Sequence, residues 1–223
     1  MWLLALTLAD TKPRTLWFAD RAWEVKRGHH GPGPNDFGDS EQSVWVDEAG
    51  ALHLRLAWID GAWRSAEVRS VACSRYGTHS FTLAPRPEPD PQVVFGLFLY
   101  ADDAHEVDME LAQWGAPQGP SLWWTAQPME EGSQRALTAS QDAHTLEMRW
   151  RPRAMRFSTT APPTTWTYKG PRVPAKRDDL HIHLNLWLYE GRATDEMIEH
   201  EVIIQSAQRI LGGYTLYSPV QRP

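Results

Sequence analysis

The sequence predicts an all-β protein, a sandwich or barrel built from many short strands. Runs in which apolar and polar residues alternate recur along the chain, and long runs with helical periodicity do not occur. Turns rich in Gly, Asn and Asp separate the runs, and the 17 prolines lie mostly between them, because proline interrupts the hydrogen bonding of a strand interior. The length of 223 residues and the hydrophobic content of 42% support one sizeable core, so we expect a single domain.

The predicted strands follow one another with little else between them. A hairpin turn, Asp47-Glu48-Ala49-Gly50, joins the first clear pair, and an Asp-Gly turn at 60–61 precedes the run RSAEVRSVAC. The strands are predicted at 43–47, 51–58, 76–83, 92–100, 105–115, 121–127, 144–152, 154–160, 166–170, 181–190 and 200–211. Rigid proline-containing loops are predicted at 84–91 and 161–165, and one short helix at 193–200.

The two ends of the chain are treated separately. Residues 1–15 begin with the apolar run MWLLALTLA, which is typical either of a signal peptide cut short by a misplaced start codon or of an edge strand. The first alternative implies a secreted or periplasmic protein. The domain is expected over 16–211, and 212–223 form a C-terminal tail.

Composition limits the classes of partner. The formal charge is -6 and the sequence lacks a basic cluster, which argues against nucleic acids, anionic membranes and anionic polysaccharides. No run is long enough to span a bilayer. The single cysteine, Cys73, rules out an internal disulfide and a cysteine-based zinc site, and we expect its side chain to be at least half-buried. We expect a monomer without metal or other cofactor; no residue pattern indicates a structural calcium ion.

Tryptophan is unusually abundant, with 12 residues. These side chains suit either the packing of a thick sandwich or stacking on flat apolar ligand faces, such as those of sugar rings. Composition alone favours packing.

An acidic strand carries the strongest chemical signal. In HEVDMELAQWG (105–115), Glu106, Asp108 and Glu110 alternate with apolar residues, so the three carboxyls share one face. Acidic residues are depleted in strands, and three together need a reason. One reason is a solvated outer face, and the other is an active site.

Geometry makes the second reading chemically specific. The Cα atoms of Glu106 and Glu110 lie roughly 13 Å apart along a strand, so side chains that lean toward each other approach the ~5–5.5 Å separation of a retaining glycosidase. A negative Asp108 between them would raise the proton affinity of a neighbouring Glu. One Glu could then act as an acid while the other remains ionised as a nucleophile.

Several segments together resemble glycoside hydrolase family 16. EVDMELAQWG is similar to the catalytic E-[VI]-D-[IM]-E motif of that family, in the version without a bulge. The resemblance extends over roughly residues 16 to 210, in the same order as the family's strands. It is carried by WEVK, GPGPNDF, SVWVDEAGALHL, AEVRSVACSRYGTHSFTL, QVVFGLFLYADD, HTLEMRWRPRAMRF and HIHLNLW.

The resemblance implies a concanavalin A-like jelly roll, a β-sandwich of two curved antiparallel sheets with a glycan cleft on the concave face. It implies that Glu106 is the nucleophile, Glu110 the general acid/base, and Asp108 an assisting residue between them. The sequence departs from the family pattern in the C-terminal tail and in the long loops that set substrate choice.

Further residues are candidates for binding the substrate. In HIHLNLWL, His181, His183, Asn185 and Trp187 share one face opposite four aliphatic residues, which favours a strand that borders a cleft over one with a merely solvated face. The resemblance implies that Asn185 and Trp187 line the cleft, and His183 shares their face.

Two segments leave the alternatives more open. In SLWWTAQP, Trp123 and Gln127 share a face, and the resemblance places them over the cleft; the alternative puts both Trp123 and Trp124 in the core. Asn35 in GPGPNDF matches a family position near the cleft, although asparagine in such loops usually makes a turn.

The sequence is therefore interpreted as a retaining endo-type glycoside hydrolase or transglycosylase. A neutral β-glucan is the expected polysaccharide substrate, because the bulge-free motif is shared with glucanases of the family. The alternative is a non-catalytic, lectin-like glycan-binding module on the same fold, but two repelling carboxylates at catalytic spacing give a lectin no advantage. A third reading is a structural or partner-binding sandwich with solvated acids.

Overall fold

Strands form nearly all the regular structure of the described residues. A computed structural model describes residues 12–86, 90–142, 144–211 and 214–215. Within these ranges the first ten strands are β1 (Thr15–Phe18), β2 (Arg21–Val25), β3 (Gly28–His30), β4 (Asn35–Phe37), β5 (Val44–Val46), β6 (Leu52–Ile59), β7 (Ala62–Arg64), β8 (Ala66–Ser70), β9 (Gly77–Leu83) and β10 (Val93–Asp102). The other nine are β11 (His105–Leu111), β12 (Leu122–Ala126), β13 (Gln134–Leu137), β14 (His144–Arg151), β15 (Ala154–Thr160), β16 (Pro163–Lys169), β17 (His181–Leu188), β18 (His200–Leu211) and β19 (Tyr214–Thr215).

The strands assemble into two large antiparallel sheets, which confirms the predicted jelly-roll sandwich. The first sheet has the order β1-β2-β8-β17-β10-β11-β12-β13. The second has the order β16-β15-β14-β9-β18-β6-β5, with β7 paired to β6 and β19 to β18. β3 and β4 form a separate two-stranded ribbon. The acidic strand β11 therefore lies inside the first sheet, between β10 and β12.

Alternation along the strands builds the core between the two sheets. On β10 and β11, Leu97, Leu99, Val107 and Met109 are all completely buried. Each such side chain contributes about 1.5–3 kcal/mol when it leaves water. A shift of β11 by one residue would place its three carboxyls in this core, so burial fixes the register and the orientation of the acidic face.

The turn predictions at the two N-terminal hairpins are confirmed. Asp47 and Ala51 close the turn between β5 and β6, and Gly50 adopts a φ of 85° there. Asp60 and Gly61 have φ values of 52° and 79°, which match the left-handed turn that joins β6 to β7.

The predicted helix at 193–200 is wrong. This segment is irregular, with one turn from Thr194 to Met197, and β18 already begins at His200. An isolated helix of eight residues is marginal in water, and Met197 packs on the core from the irregular segment. The helical structure that the described residues contain is a single 3₁₀ turn at Tyr189–Gly191.

Other differences concern short or exposed strands. β1, β3, β4, β7 and β13 were not predicted as separate strands, and β16 begins inside the predicted loop at 161–165. β13 is mostly exposed, so its sequence shows no alternation of polarity. Of the tail, only Tyr214–Thr215 is described, paired with the end of β18. Residues 1–11, where the signal-peptide alternative falls, and 87–89 of the proline-rich loop lie outside the described residues.

No helix in the described ranges is long and apolar enough to cross a membrane.

The single cysteine, Cys73, is half-buried, as predicted. Its Sγ lies 2.7 Å from the carbonyl oxygen of Asp178.

Candidate active site

A cleft of about 420 Å³ lies on the outer face of the first sheet, where the acidic side chains of β11 point. We call this face, which carries Glu106, Asp108 and Glu110, the cleft face. The residues that line the cleft come from β8, β10, β11, β17 and three connecting segments, at 26, 31–32 and 103. They are Lys26, Gly31, Pro32, Glu67, Phe98, Tyr100, Asp103, Glu106, Asp108, Glu110, His183, Asn185 and Trp187.

Strand register arranges the floor of the cleft in rows. Directly paired residues of neighbouring antiparallel strands lie side by side on the same face. Glu110 is paired with Gly96, which is paired with Asn185. Asp108 is paired with Phe98, and Glu106 with Tyr100. The acids therefore face polar and aromatic neighbours across β10 and β17.

Gly96 makes room for the Asn185 side chain. A Cβ atom at Gly96 would come within 2.5 Å of Asn185 Oδ1, closer than such atoms can approach. The missing side chain lets the Asn185 amide lie across β10, next to the position of Glu110. The structure thus brings Asn185 to the cleft floor beside the acids.

Burial raises the pKa of all three acids on β11. The pKa of Glu106 rises to about 7, chiefly by desolvation and further through the charges of Asp103 and Glu67, while the neighbouring Asp108 carboxyl opposes the rise. Desolvation and the charge of Glu106 raise the pKa of Glu110 to about 8. Both glutamates can therefore hold a proton near neutral pH.

Asp108 differs from what the sequence suggested. Its side chain is only 3% exposed. Desolvation, followed by the charges of Glu106 and Glu110, raises its pKa well above the ordinary value, and Gln127 opposes this only in part. Both Asp108 oxygens are buried without a hydrogen-bond partner among the described residues. Burial therefore favours the protonated form of Asp108, which can serve Glu106 as a hydrogen-bond donor instead of a negative charge.

A polar network supports the far side of the cleft. His183 Nδ1 lies 2.9 Å from Glu67 Oε1, and Lys26 Nζ lies 2.7 Å from Glu67 Oε2. Although burial raises the pKa of Glu67, the hydrogen bond to His183 and the charge of Lys26 outweigh it and leave that pKa below its usual value. Glu67 is thus an ionised carboxylate held in place from both sides.

The His183 ring is fixed in orientation and charge. It stacks on Phe98 with ring centroids 4.9 Å apart, and burial lowers its pKa despite the nearby Glu67. A neutral ring that donates its Nδ1 proton to Glu67 keeps Nε2 as a hydrogen-bond acceptor. His183 can therefore accept a hydrogen bond from a ligand hydroxyl.

Aromatic residues gather at the end of the cleft next to Glu110. Trp187 lines the cleft, and Trp123 lies on the cleft face, paired with Glu110. Trp114 packs between them, with ring centroids 6.4 Å from Trp123 and 6.3 Å from Trp187. Trp123 is half-buried and donates its indole N–H to the Ala112 carbonyl, so it contributes to the wall of this end and does not line the cleft itself.

Asn35 does not fit the predicted contact with a glycan. It is only 2% exposed. Its amide nitrogen donates to the carbonyls of Pro32 and Leu188, and its oxygen accepts from Ser65 Oγ and the Leu188 amide. All its hydrogen-bonding capacity is used within the protein. The residue ties the loop at 31–34, which borders the cleft, to the end of β17.

Gln127 has an indirect position as well. Its backbone N–H donates to the Glu106 carbonyl. Its side chain lowers the pKa of the Asp108 carboxyl, against the effect of burial. It is not among the residues that line the cleft.

Sequence reasoning missed several lining residues. Phe98 and Tyr100 belong to the run QVVFGLFLY, where aromatic residues on the cleft face are indistinguishable by polarity from aliphatic residues on the core face. Glu67 alternates with buried Ala66 and Val68, a signal that was present in AEVRS. The position of Lys26 depends on packing between distant segments.

No group of His, Cys, Asp and Glu in the described part of the chain is arranged to hold a metal ion. The predicted cleft residues therefore form a site of carboxyls, one amide, one imidazole and aromatic rings.

Comparison with known proteins finds similar folds among solved structures. No family model matches the chain, and no curated protein is detectably similar in sequence. Among solved structures, the Bacillus licheniformis β-glucanase aligns with a TM-score of 0.65 and 15% identity, over 85% of this chain and 92% of that protein. A β-1,3-glucanase from Mycobacterium marinum aligns with a TM-score of 0.64 and 19% identity, over 88% of this chain and 90% of that protein.

A third similar structure contains bound oligosaccharides. LamA from Zobellia galactanivorans, as a variant in complex with laminaritriose and laminaritetraose, aligns with a TM-score of 0.61 and 12% identity, over 85% of this chain and 92% of that protein. At these identities the similarity concerns the fold. The chain thus has the jelly-roll fold of β-glucanases and related glycosyl hydrolases, with its three buried acids in a cleft on one of the sheets.

Proposed function

We propose that this protein is a glycosidase that cleaves internal β-glycosidic bonds of a neutral β-glucan by double displacement, with retention of configuration. The observation that carries the proposal is the placing of Glu106, Asp108 and Glu110 on the floor of one cleft, where burial raises the pKa of all three. Carboxyls with raised pKa values in one site can divide the roles of proton donor and nucleophile. The β-glucanase fold of the structural neighbours supports the same class of substrate.

In the first step, the Glu106 carboxylate attacks the anomeric carbon while Glu110 gives its proton to the departing glycosidic oxygen. The bond to the leaving sugar breaks as the ester to Glu106 forms. Protonated Asp108 stabilises the ionised form of Glu106 through a hydrogen bond before the attack. In the second step, Glu110 takes a proton from water, the resulting hydroxide attacks the anomeric carbon, and Glu106 leaves as a carboxylate. A sugar hydroxyl in place of water would give transglycosylation.

The charge of the cleft supports a neutral substrate. Five carboxyl groups line it, those of Glu67, Asp103, Glu106, Asp108 and Glu110, against the single ammonium group of a lysine. Even with some of these acids protonated, an anionic glycan would meet repulsion. Sugar hydroxyls, in contrast, find donors and acceptors in Asn185 and His183.

A panel of polysaccharides tests the proposal. We expect wild-type protein to release reducing ends from at least one neutral β-glucan, with an early fall in viscosity that shows internal cleavage, and Glu106→Gln to be inactive. Glu147→Gln, on β14 of the opposite sheet, is the matched control and should behave as wild type. The first product observed by NMR should be the β-anomer. Binding without cleavage across the panel would overturn the proposal in favour of a lectin, and an active Glu106→Gln would exclude this mechanism.

The protonation states predict the pH profile and the behaviour of Asp108 variants. Activity requires ionised Glu106 and protonated Glu110, so it should be highest between about pH 7 and pH 8, falling below as Glu106 gains a proton and above as Glu110 loses one. Asp108→Asn keeps an uncharged hydrogen-bond donor, so it should slow turnover by roughly tenfold with both limbs of the profile unmoved. Asp108→Ala removes the donor and should move the acidic limb to higher pH.

The direction in which the limbs of the pH profile move in Asp108→Asn shows whether Asp108 is charged. If Asp108 were ionised, Asp108→Asn would remove a negative charge and lower the pKa of both glutamates, so both limbs would move to lower pH by about one unit. The pH dependence of kcat for both variants makes this comparison.

A further inference from the structure

A tryptophan far from the acids is exposed on the outermost strand of the first sheet. Trp17 on β1 has 65% of its surface accessible, although it sits in a regular strand. Its neighbours Leu16 and Phe18 turn the other way and pack on the core. Exposed aromatic surface of this size commonly marks a binding site.

Strand register places Trp17 on the cleft face. Trp17 is paired with Ala22, and Ala22 shares a strand face with Glu24. Glu24 is paired with Arg69 and forms an ion pair with it. Arg69 is paired with His183, which lines the cleft. The Trp17 ring therefore lies on the same surface of the sheet as the candidate catalytic residues.

The distance from the acids follows from the strand order. Five steps between neighbouring strands separate β1 from β11, which corresponds to about 24 Å across the sheet. Val71 lies between Trp17 and the acids, next to Ala22 of β2, and its side chain is 45% exposed. An extended ligand that leaves the cleft past β8 would thus reach Trp17 over partly apolar surface.

Trp17 also borders a groove with the chemical character of a sugar site. The groove has a volume of about 500 Å³ and lies between the edge strands β1 and β5. Thr15 and Glu41 supply a hydroxyl and a carboxylate, and Trp45 supplies a second aromatic ring. Flat apolar faces beside hydrogen-bonding groups match the alternating character of a sugar ring.

We propose that Trp17 is an outlying stacking subsite for the same neutral glucan chain that occupies the cleft, and binds the part that extends beyond β8. The proposal rests on the proposed function of the cleft. A second contact joined to the first by the ligand itself raises affinity only for chains long enough to reach both. Trp17 therefore selects long substrates over short ones.

The test measures binding as a function of chain length. Calorimetry would compare Glu106→Gln with the double variant Glu106→Gln/Trp17→Ala on a series of β-glucan oligosaccharides and the polymer. The Glu106→Gln change prevents cleavage of the ligand during the measurement. We expect affinity for the polymer to fall about fivefold and affinity for short oligosaccharides that fill only the cleft to stay the same. Trp17→Tyr should retain most of the affinity.

Trp58→Ala is the matched control, since Trp58 is 57% exposed but belongs to β6 of the opposite sheet. It should leave binding of all lengths unchanged. Equal losses for short and long chains, unchanged binding of the polymer in Trp17→Ala, or an equal effect of Trp58→Ala would each overturn the inference.

The outcomes also separate this inference from the proposed function. If the wild type binds glucan in a Trp17-dependent and length-dependent way without cleaving it, the subsite stands and the glycosidase proposal fails. If the wild type cleaves glucan while Trp17→Ala binds every length normally, the glycosidase stands and the subsite fails. Absence of any binding would overturn both.

Discussion

Glu106→Ala is expected to abolish turnover, by about 10³-fold or more, and to leave glycan affinity nearly unchanged. The carboxylate acts on the barrier of the reaction, whereas the aromatic rings, Asn185 and His183 supply most of the contacts with the bound substrate. Kinetics on the best substrate of the panel and calorimetry on a non-cleaved ligand would measure the two effects separately. Glu147→Ala, in the opposite sheet, provides the control for loss of a glutamate side chain.

Azide distinguishes a missing nucleophile from a damaged site. The alanine leaves space beneath the anomeric carbon, where azide can attack while Glu110 still protonates the leaving oxygen. Because this is a single displacement, the glycosyl azide should have inverted configuration, which NMR would identify. Wild-type turnover by Glu106→Ala would contradict the assignment and return the acids to the role of a solvated face. A retained azide product would instead show that another residue forms the ester.

The fold and the faces of the central strands could be predicted because each follows from alternation. On β11 and β17 the polar residues and the aliphatic residues occupy opposite sides, and burial of Val107, Met109, Ile182 and Leu184 leaves one orientation for both strands. Pairing through β10 then brings their polar faces together. The alternation is visible within each strand, and it determines which side chains face the cleft, so both could be predicted from the sequence.

Other properties of the site depend on depth and on distant contacts. The raised pKa of Asp108 results chiefly from its burial, which no spacing of residues indicates. Asn35 is polar and lies in a predicted loop, yet its partners include the main chain of Leu188, at the end of β17. Such partners become visible only when the chain is folded.

Trp114 illustrates a third kind of difficulty. Its φ of 51° lies in the left-handed region, where a bulky side chain is rare, and Gly115 follows with a φ of 76°. This conformation places the indole against Trp123, Trp187 and Tyr189 at one end of the cleft. The pair Trp-Gly indicates a turn in sequence, but the direction of the ring is a property of the packed cluster.

Glu110→Ala should affect substrates according to their leaving groups. Loss of the acid should slow hydrolysis of the polysaccharide by about 10²–10⁴-fold, because the departing sugar oxygen needs a proton. An aryl glycoside with a good leaving group needs little protonation, so it should still form the ester with Glu106 and release its phenol in a rapid burst. The second step should then be slow, because no base activates water.

Azide and pH complete the assignment of Glu110. Azide needs no base, so it should intercept the ester and give a glycosyl azide of retained configuration, the opposite of the product from Glu106→Ala. With the aryl substrate and azide, the alkaline limb near pH 8 should disappear because its titrating group is gone, while the acidic limb near pH 7 remains with Glu106. Since the negative charge of Glu110 no longer acts on it, Glu106 itself should ionise at the same pH or slightly lower. An alkaline limb that persists in Glu110→Ala, or an equal loss of rate for both leaving groups, would assign proton donation to another residue of the cleft.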